Sequence, residues 1–120
     1  MIAGQLRRTD DDTPLLETVY RTTTALERMR GLLGRAPLGA GEAMLIDRCG
    51  SVHALGMRYR LGLAFMTGGG RVLKLVHGLR PGRASICLRA SMTLEMPPGS
   101  ITATGLAAGD VLHWHAHAAP

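Results

Sequence analysis

The chain has 120 residues, 46% hydrophobic and only 3% aromatic, with a formal net charge of +5. This length corresponds to one domain whose core must be built from aliphatic side chains and methionine, and it excludes a multidomain architecture. There is no apolar signal-peptide core near the start and no run of about 18 apolar residues. We therefore expect a cytoplasmic protein without membrane insertion.

The positive charge comes almost entirely from arginine, since 13 of the 14 cationic residues are of this type. A basic balance permits contact with phosphates or with an anionic membrane surface. Because the arginines are scattered, we expect most of them to be solvated or weakly paired. Arg58 and Arg60 flank Tyr59 on a predicted strand, which leaves a nucleic-acid-binding module as one alternative. The lack of an aromatic platform argues against nucleic acid as a partner.

Two cysteines, Cys49 and Cys87, fit neither a disulfide framework nor a zinc spacing. Both lie in apolar surroundings, so buried free thiols are the expectation. Cys49 also lies four residues before His53, and an activated Cys–His pair is a weaker alternative because the sequence does not show their geometry.

Residues 1–14 are polar and without periodicity, which predicts a loose lead-in before a single domain over residues 15–117 and a short tail at 118–120. The one predicted helix begins with a Thr24–Glu27 capping box. Leu26, Met29 and Leu33 then share one stripe at helical spacing, so we predict that they pack onto the core, with Gly34 ending the helix.

The remainder is a series of short strands separated by Gly- and Pro-rich turns. Gly68–Gly70 has no following GK[ST] signature, so it is interpreted as a hairpin turn and not as a phosphate cradle. The predicted fold is mainly β (α+β), a small sandwich or barrel of about eight short strands with one capping α-helix. The predicted strands cover residues 15–21, 43–47, 51–55, 60–67, 71–77, 84–88, 91–96, 101–104 and 110–115.

Three histidines, His113, His115 and His117, alternate along the last predicted strand. Positions two apart share a face on a strand, so three imidazoles could meet on one metal and leave an open coordination position. Fraying near the chain end and the lack of visible supporting ligands favour adventitious surface histidines instead. A metal-dependent hydrolase therefore remains an alternative, and no cofactor is assigned.

His53 lies in an apolar segment followed by Met57, Arg58 and Tyr59. A lone histidine among apolar neighbours is usually a hydrogen-bonded core residue. Beside a charged group it could instead act as a general base or bind an anion.

Two acidic residues lie next to predicted turns, Glu95 before Pro97-Pro98-Gly99 and Asp110 after Gly109. The favoured interpretation is that each accepts backbone N–H groups at its turn. The alternative places both carboxylates in one cleft with His53.

Four motifs occur in the order found in the domain-of-unknown-function family 192, and the chain resembles that family over about residues 18–115. The resemblance implies a small β-rich barrel or sandwich with a helix packed on it, and no assigned activity. Two positions depart from the family pattern: Gly62 replaces an aspartate and Leu55 an aromatic residue, which puts any site role of those positions in doubt. The motifs are Glu27-Arg28 with Gly31-Leu32-Leu33, His53 with Gly56-Met57-Arg58, Leu94-Glu95 with Gly99, and Gly109-Asp110.

The interpretation that these observations favour is a single-domain binding or accessory protein for a small anionic or carbohydrate-like ligand. Neither catalysis nor an oligomeric state follows from the sequence. The predicted ligand-binding residues are His53, Met57, Arg58, Tyr59, Glu95 and Asp110.

Overall fold

The computed structural model describes residues 1–118. Within them lie nine strands and two short helices. Their bounds are β1 Ile2–Arg8, β2 Pro14–Arg21, α1 Ala25–Arg30, β3 Glu42–Asp47, β4 Ser51–His53, β5 Leu61–Met66, β6 Val72–Leu79, β7 Ala84–Ile86, β8 Met92–Met96, α2 Ser100–Thr104 and β9 Leu112–Ala116. Neither helix is long and apolar enough to span a bilayer.

Seven strands form one sheet in the order β6-β5-β8-β3-β2-β1-β9, and β4 pairs with β7 in a separate two-stranded sheet. Neighbours run antiparallel except β2 and β3, which are parallel. The connection between those two strands contains α1, as a parallel pair requires a crossover. The prediction of a mainly β domain is confirmed.

The long sheet curls until its two edge strands, β6 and β9, meet at one end. Arg71 and Val111 form an isolated antiparallel bridge there, and the Leu112 N–H donates to the Gly70 carbonyl over 2.9 Å. Gly70 has φ +92°, and a Cβ at this position would collide with the Leu112 carbonyl, so the approach requires glycine. Since this contact is confined to one end, the described strands do not form a closed barrel.

Strands β3, β5 and β8 alternate their side chains between two buried faces, because successive residues of a strand point in opposite directions. The first face packs against α2, and the second packs against Leu32 and against Val52 of β4. Residues of the first face are Ala43, Leu45, Ala64, Met66, Leu94 and Met96; those of the second face are Met44, Ile46, Leu61, Leu63 and Phe65.

Two predictions of local structure are wrong. The supposed lead-in contains β1, which lies between β2 and β9, and only Gly4 and Leu6 turn inward, too few to produce a visible alternation.

The predicted strand at residues 101–104 is the helix α2. Gly99, in the left-handed region with φ +89°, reverses the chain before it, and the Thr104 hydroxyl donates to the Ser100 carbonyl.

The predicted apolar stripe of α1 does not pack onto the core. The capping box is present, with the Glu27 N–H donating to Thr24 Oγ1 over 3.1 Å, but the helix ends at Arg30 and buries none of its residues. Leu26 is 74% exposed and Met29 is 80% exposed. The helix and its cap were therefore predicted correctly, whereas its end at Gly34, the inclusion of Leu33 and the direction in which the stripe faces were not.

Candidate functional site

The second face of the sheet is incompletely covered, and a cavity of about 320 Å³ lies between it, the α1 region and β4. Its walls are largely aliphatic, which is typical of small-ligand sites. Its lining includes Arg28, Met29, Arg30, Gly31, Leu33, Cys49, Ser51, His53, Leu55, Met57 and Glu95.

Glu95 is the charged residue on the wall that β8 contributes. Its neighbours Leu94 and Met96 belong to the first face, so alternation along the strand directs Glu95 to the second face. The residue is only 4% exposed, and its Oε1 has no hydrogen-bond partner among the described residues. Burial raises the pKa of Glu95 from 4.5 to about 7, although hydrogen bonding from the Leu32 backbone opposes the shift. Near neutral pH this carboxyl can therefore donate or accept a proton.

Gly31 is part of the wall beside this carboxylate. It follows α1 with φ +54°, a conformation that residues with a Cβ rarely adopt. A Cβ here would lie 3.1 Å from Glu95 Oε1 and 3.5 Å from the Ile46 Cδ1 atom. The glycine thus lets the backbone turn away from α1 and leaves room beside the acid.

The mouth of the cavity combines apolar and basic side chains. Met29 and Leu55 are 80% and 70% exposed, although both also line the cavity. The third apolar side chain at the mouth is Leu33, and the cations that line the cavity are Arg28 and Arg30. The cavity that holds Glu95 therefore also has two cationic residues in its lining.

The six predicted ligand residues divide among three places. His53, Met57 and Glu95 line this cavity, with His53 exposed at its edge. Arg58 and Tyr59 instead line a neighbouring depression that shares Met57. The Tyr59 hydroxyl donates to the Arg35 carbonyl over 3.1 Å, and burial, followed by the charge of Glu95, raises the pKa of Tyr59.

Asp110 does not line this cavity and lies just before β9. Its Oδ2 accepts the Ala107 N–H over 2.9 Å and lies 3.4 Å from the Arg8 guanidinium. Asp110 therefore has the turn-capping role that the sequence favoured. Glu95 does not, because its carboxyl faces the cavity and not its turn.

The three C-terminal histidines do not share one point. His113 Nδ1 lies 3.1 Å from His115 Nε2, whereas His117 Nε2 lies 2.9 Å from the Glu17 carbonyl oxygen. No group of three or more His, Cys, Asp or Glu residues within residues 1–118 is placed to hold a metal ion.

The cysteines are both free and half-buried, which is more accessible than the sequence suggested. Cys49 lines the cavity, and its thiol donates to the Ser51 carbonyl over 3.2 Å. Cys49 and His53 therefore border the same space, but no hydrogen bond joins them.

The two departures from the family pattern fall in different places. Gly62 pairs with Met96 on the first face, where a Cβ would lie 3.1 Å from the Met96 Cγ atom, so this position does not border the cavity. Leu55, by contrast, lies at the cavity mouth.

Sequence reasoning did not identify Gly31, Arg28, Met29 or Leu55 as site residues. The available signal was the glycine directly after a short capped helix, which marks an abrupt change of chain direction.

Comparison with known proteins is consistent with this fold. The family model DUF192, described as Uncharacterized ACR, matches residues 7–114. No curated protein matches the chain. The structure is similar to that of a candidate transcription regulator from Sinorhizobium meliloti 1021, with a TM-score of 0.81, 20% identity and 93% of each chain covered.

A protein of unknown function from Novosphingobium aromaticivorans DSM 12444 is also similar. The TM-score is 0.75 at 20% identity, covering 93% of this chain and 84% of the other. At this identity both likenesses concern the fold alone. Because the family model spans most of the sequence, the chain belongs to the DUF192 family.

Proposed function

We propose that the protein is a binding domain for a small hydroxylated organic ligand that occupies the cavity beside Glu95. The observation that carries the proposal is the unpartnered Oε1 of this buried carboxyl. Leaving a buried charged acceptor without a partner costs at least about 1–3 kcal/mol, so a ligand group that donates a hydrogen bond would recover this energy.

The rest of the cavity defines the other parts of the ligand. Its aliphatic walls suit a short carbon skeleton, and Arg28 and Arg30 at the mouth suit an outer carboxylate or phosphate. A small hydroxy acid combines these features, and a monosaccharide would use the inner hydroxyl contact without the outer one. Arg58 and Tyr59, in the neighbouring depression, have no part in this proposal.

Titration of methyl-labelled protein with short hydroxy acids and monosaccharides tests the proposal. The Met29 and Met57 methyl signals should shift, since both side chains line the cavity, while Met92, which lies in another depression, serves as the internal control. Affinity for a hydroxyl-bearing ligand should rise as the pH passes through about 7, because the ionised carboxylate is the stronger acceptor.

The matched variant is Glu95→Gln, which keeps the shape of the side chain and removes its charge. It should weaken binding by roughly tenfold or more, the value of a hydrogen bond to a charged group. Glu42→Gln, whose side chain does not line the cavity, should bind as the unmodified protein does. No shift at Met29 and Met57 across the panel, or full affinity in Glu95→Gln, would contradict the proposal.

A further inference from the structure

The surface around the cavity mouth is unusually apolar for a surface exposed to water. We define the apolar rim as Met29, Leu33, Leu55 and Ile86. The first three line the mouth, and Ile86 is the cross-strand partner of Ser51, which also lines the cavity, so their side chains share a face. Each rim residue is at least 39% exposed.

Two further exposed side chains extend this region along the chain, because each lies two or three residues from a rim residue. Leu26 lies one helical turn before Met29, at 74% exposure, and Leu88 is 88% exposed in the turn after β7. Of the eight large hydrophobic residues exposed within residues 1–118, six therefore belong to the rim or its extensions. Large contiguous apolar patches on a soluble domain mark interaction sites.

The charge around the rim has one sign. Arg28 and Arg30 line the cavity, Arg58 follows Met57, and the Arg83 carbonyl accepts the Ala54 N–H over 2.7 Å. None of these four guanidinium groups forms a salt bridge among the described residues.

Acidic residues are almost absent from the segment that contains Arg58 and Arg83. Residues 48–109 contain eight cations and a single acid, Glu95, which is buried. Glu27, on α1, is bound by the N-terminal ammonium, and Asp47 by Arg21. The rim is therefore surrounded by cations that have no nearby acid to neutralise them.

We propose that this end of the molecule docks peripherally on an anionic phospholipid membrane. The rim would enter the headgroup region, while the arginines bind lipid phosphates and lay their methylene stems along the interface. Charge complementarity favours a bilayer over a protein partner, because a bilayer presents one sign of charge over a wide area. The inference does not depend on what the cavity binds.

Co-sedimentation with vesicles tests the proposal. The protein should sediment with vesicles of phosphatidylcholine and phosphatidylglycerol, should stay in solution with phosphatidylcholine alone, and should be released by salt. Each arginine near an anionic surface contributes about 1 kcal/mol, equivalent to roughly fivefold in affinity. The variant Arg58→Gln/Arg83→Gln should therefore bind roughly 25-fold more weakly.

Apolar and control variants complete the experiment. Met29→Ser/Leu55→Ser should weaken vesicle binding by roughly tenfold or more, because it removes two exposed apolar side chains from the rim. The matched control is Ile2→Ser/Arg71→Gln, which changes an exposed apolar residue and an exposed arginine outside the rim and should bind normally. Thermal unfolding monitored by circular dichroism verifies that each variant is folded.

Three outcomes would overturn the proposal. The first is failure to sediment with the anionic vesicles at low salt. The second is an equal loss of binding in the control and rim variants, which would indicate a nonspecific response to net charge. The third is a dimer, seen by analytical ultracentrifugation and dissociated by Met29→Ser/Leu55→Ser, because a second copy of the chain would then cover the rim.

Discussion

The two faces of strands β3, β5 and β8 are built from the same backbone but serve different purposes. On the first face, Leu94 and Met96 pack into an aliphatic core that α2 covers. On the second face, one position along the same strand, Glu95 borders a cavity and lacks a partner for Oε1. The comparison teaches that one face supplies stability while the other gives up stability to keep a charged group available.

The largest expected effect comes from the first face. Leu94→Ala should lower the free energy of unfolding by about 2–5 kcal/mol, because Leu94 is fully buried and its truncation leaves a cavity. Urea denaturation measures this loss. Leu88→Ala, at an exposed position, should change stability by less than about 0.5 kcal/mol. Similar values for the two variants would break the comparison between core and surface.

Glu95 should make stability depend on pH in the opposite sense from an ordinary carboxylate. Its folded pKa of about 7 lies above its usual value of 4.5, so the folded state binds the proton more tightly. The stabilisation that Glu95 adds to the free energy of unfolding is fully present below pH 4.5. It is lost as the pH rises to about 7, a change of about 3 kcal/mol.

At each pH, the free energy of unfolding of Glu95→Gln is subtracted from that of the unmodified protein. The difference isolates the contribution of Glu95 from that of all other titrating groups. A flat difference between pH 4 and 8 would show that the carboxyl is solvated in the folded protein, and would remove the contrast between the two faces.

Gly31→Ala should have an intermediate effect. Gly31 has φ +54° and ψ −129°, a sparsely populated backbone region that costs an alanine about 1–3 kcal/mol, and the new methyl group would also approach the Glu95 carboxyl. Gly82→Ala is the matched control, since Gly82 also has a positive φ but its Cβ would meet nothing within 4 Å. The excess loss in Gly31→Ala, measured by urea denaturation, reports the contact with Glu95. If the two losses are equal, Gly31 serves the chain turn alone.

The smallest effect on stability is expected at the cavity mouth. Leu55→Ser should change the free energy of unfolding by less than about 0.5 kcal/mol, because the side chain is 70% exposed. The same substitution should still weaken ligand binding, detected through the Met57 methyl signal. A destabilisation above about 1 kcal/mol would mean that the mouth contributes to the core.

Sequence patterns predicted those elements whose structure is determined locally. The buried strands β3 and β5, the Thr24–Glu27 capping box and the Gly68–Gly70 turn all follow from short-range chemistry. They also included Glu95 among the predicted ligand-binding residues, although its place before Pro97-Pro98-Gly99 favoured a turn-capping role.

Long-range contacts explain what could not be predicted. The strand β1 is formed through Gly4, whose missing side chain makes room for Trp114 more than a hundred residues later. The apolar stripe of α1 faces solvent because a helix of only six residues takes its orientation from the segments at its two ends. Gly31 determines the direction in which the chain leaves the helix. Arg58 lines a different depression from His53, and Gly56, with φ +80°, turns the chain between these two residues.

The pairing of β1 with β9 has a consequence for biosynthesis. Leu6 lies opposite Trp114, so the edge of β1 that faces away from β2 stays unpaired until β9 has left the ribosome. Until then, one row of backbone N–H and C=O groups on β1 is unpaired and can form hydrogen bonds with a strand of another chain. Nascent chains should therefore be most prone to aggregate before β9 has emerged.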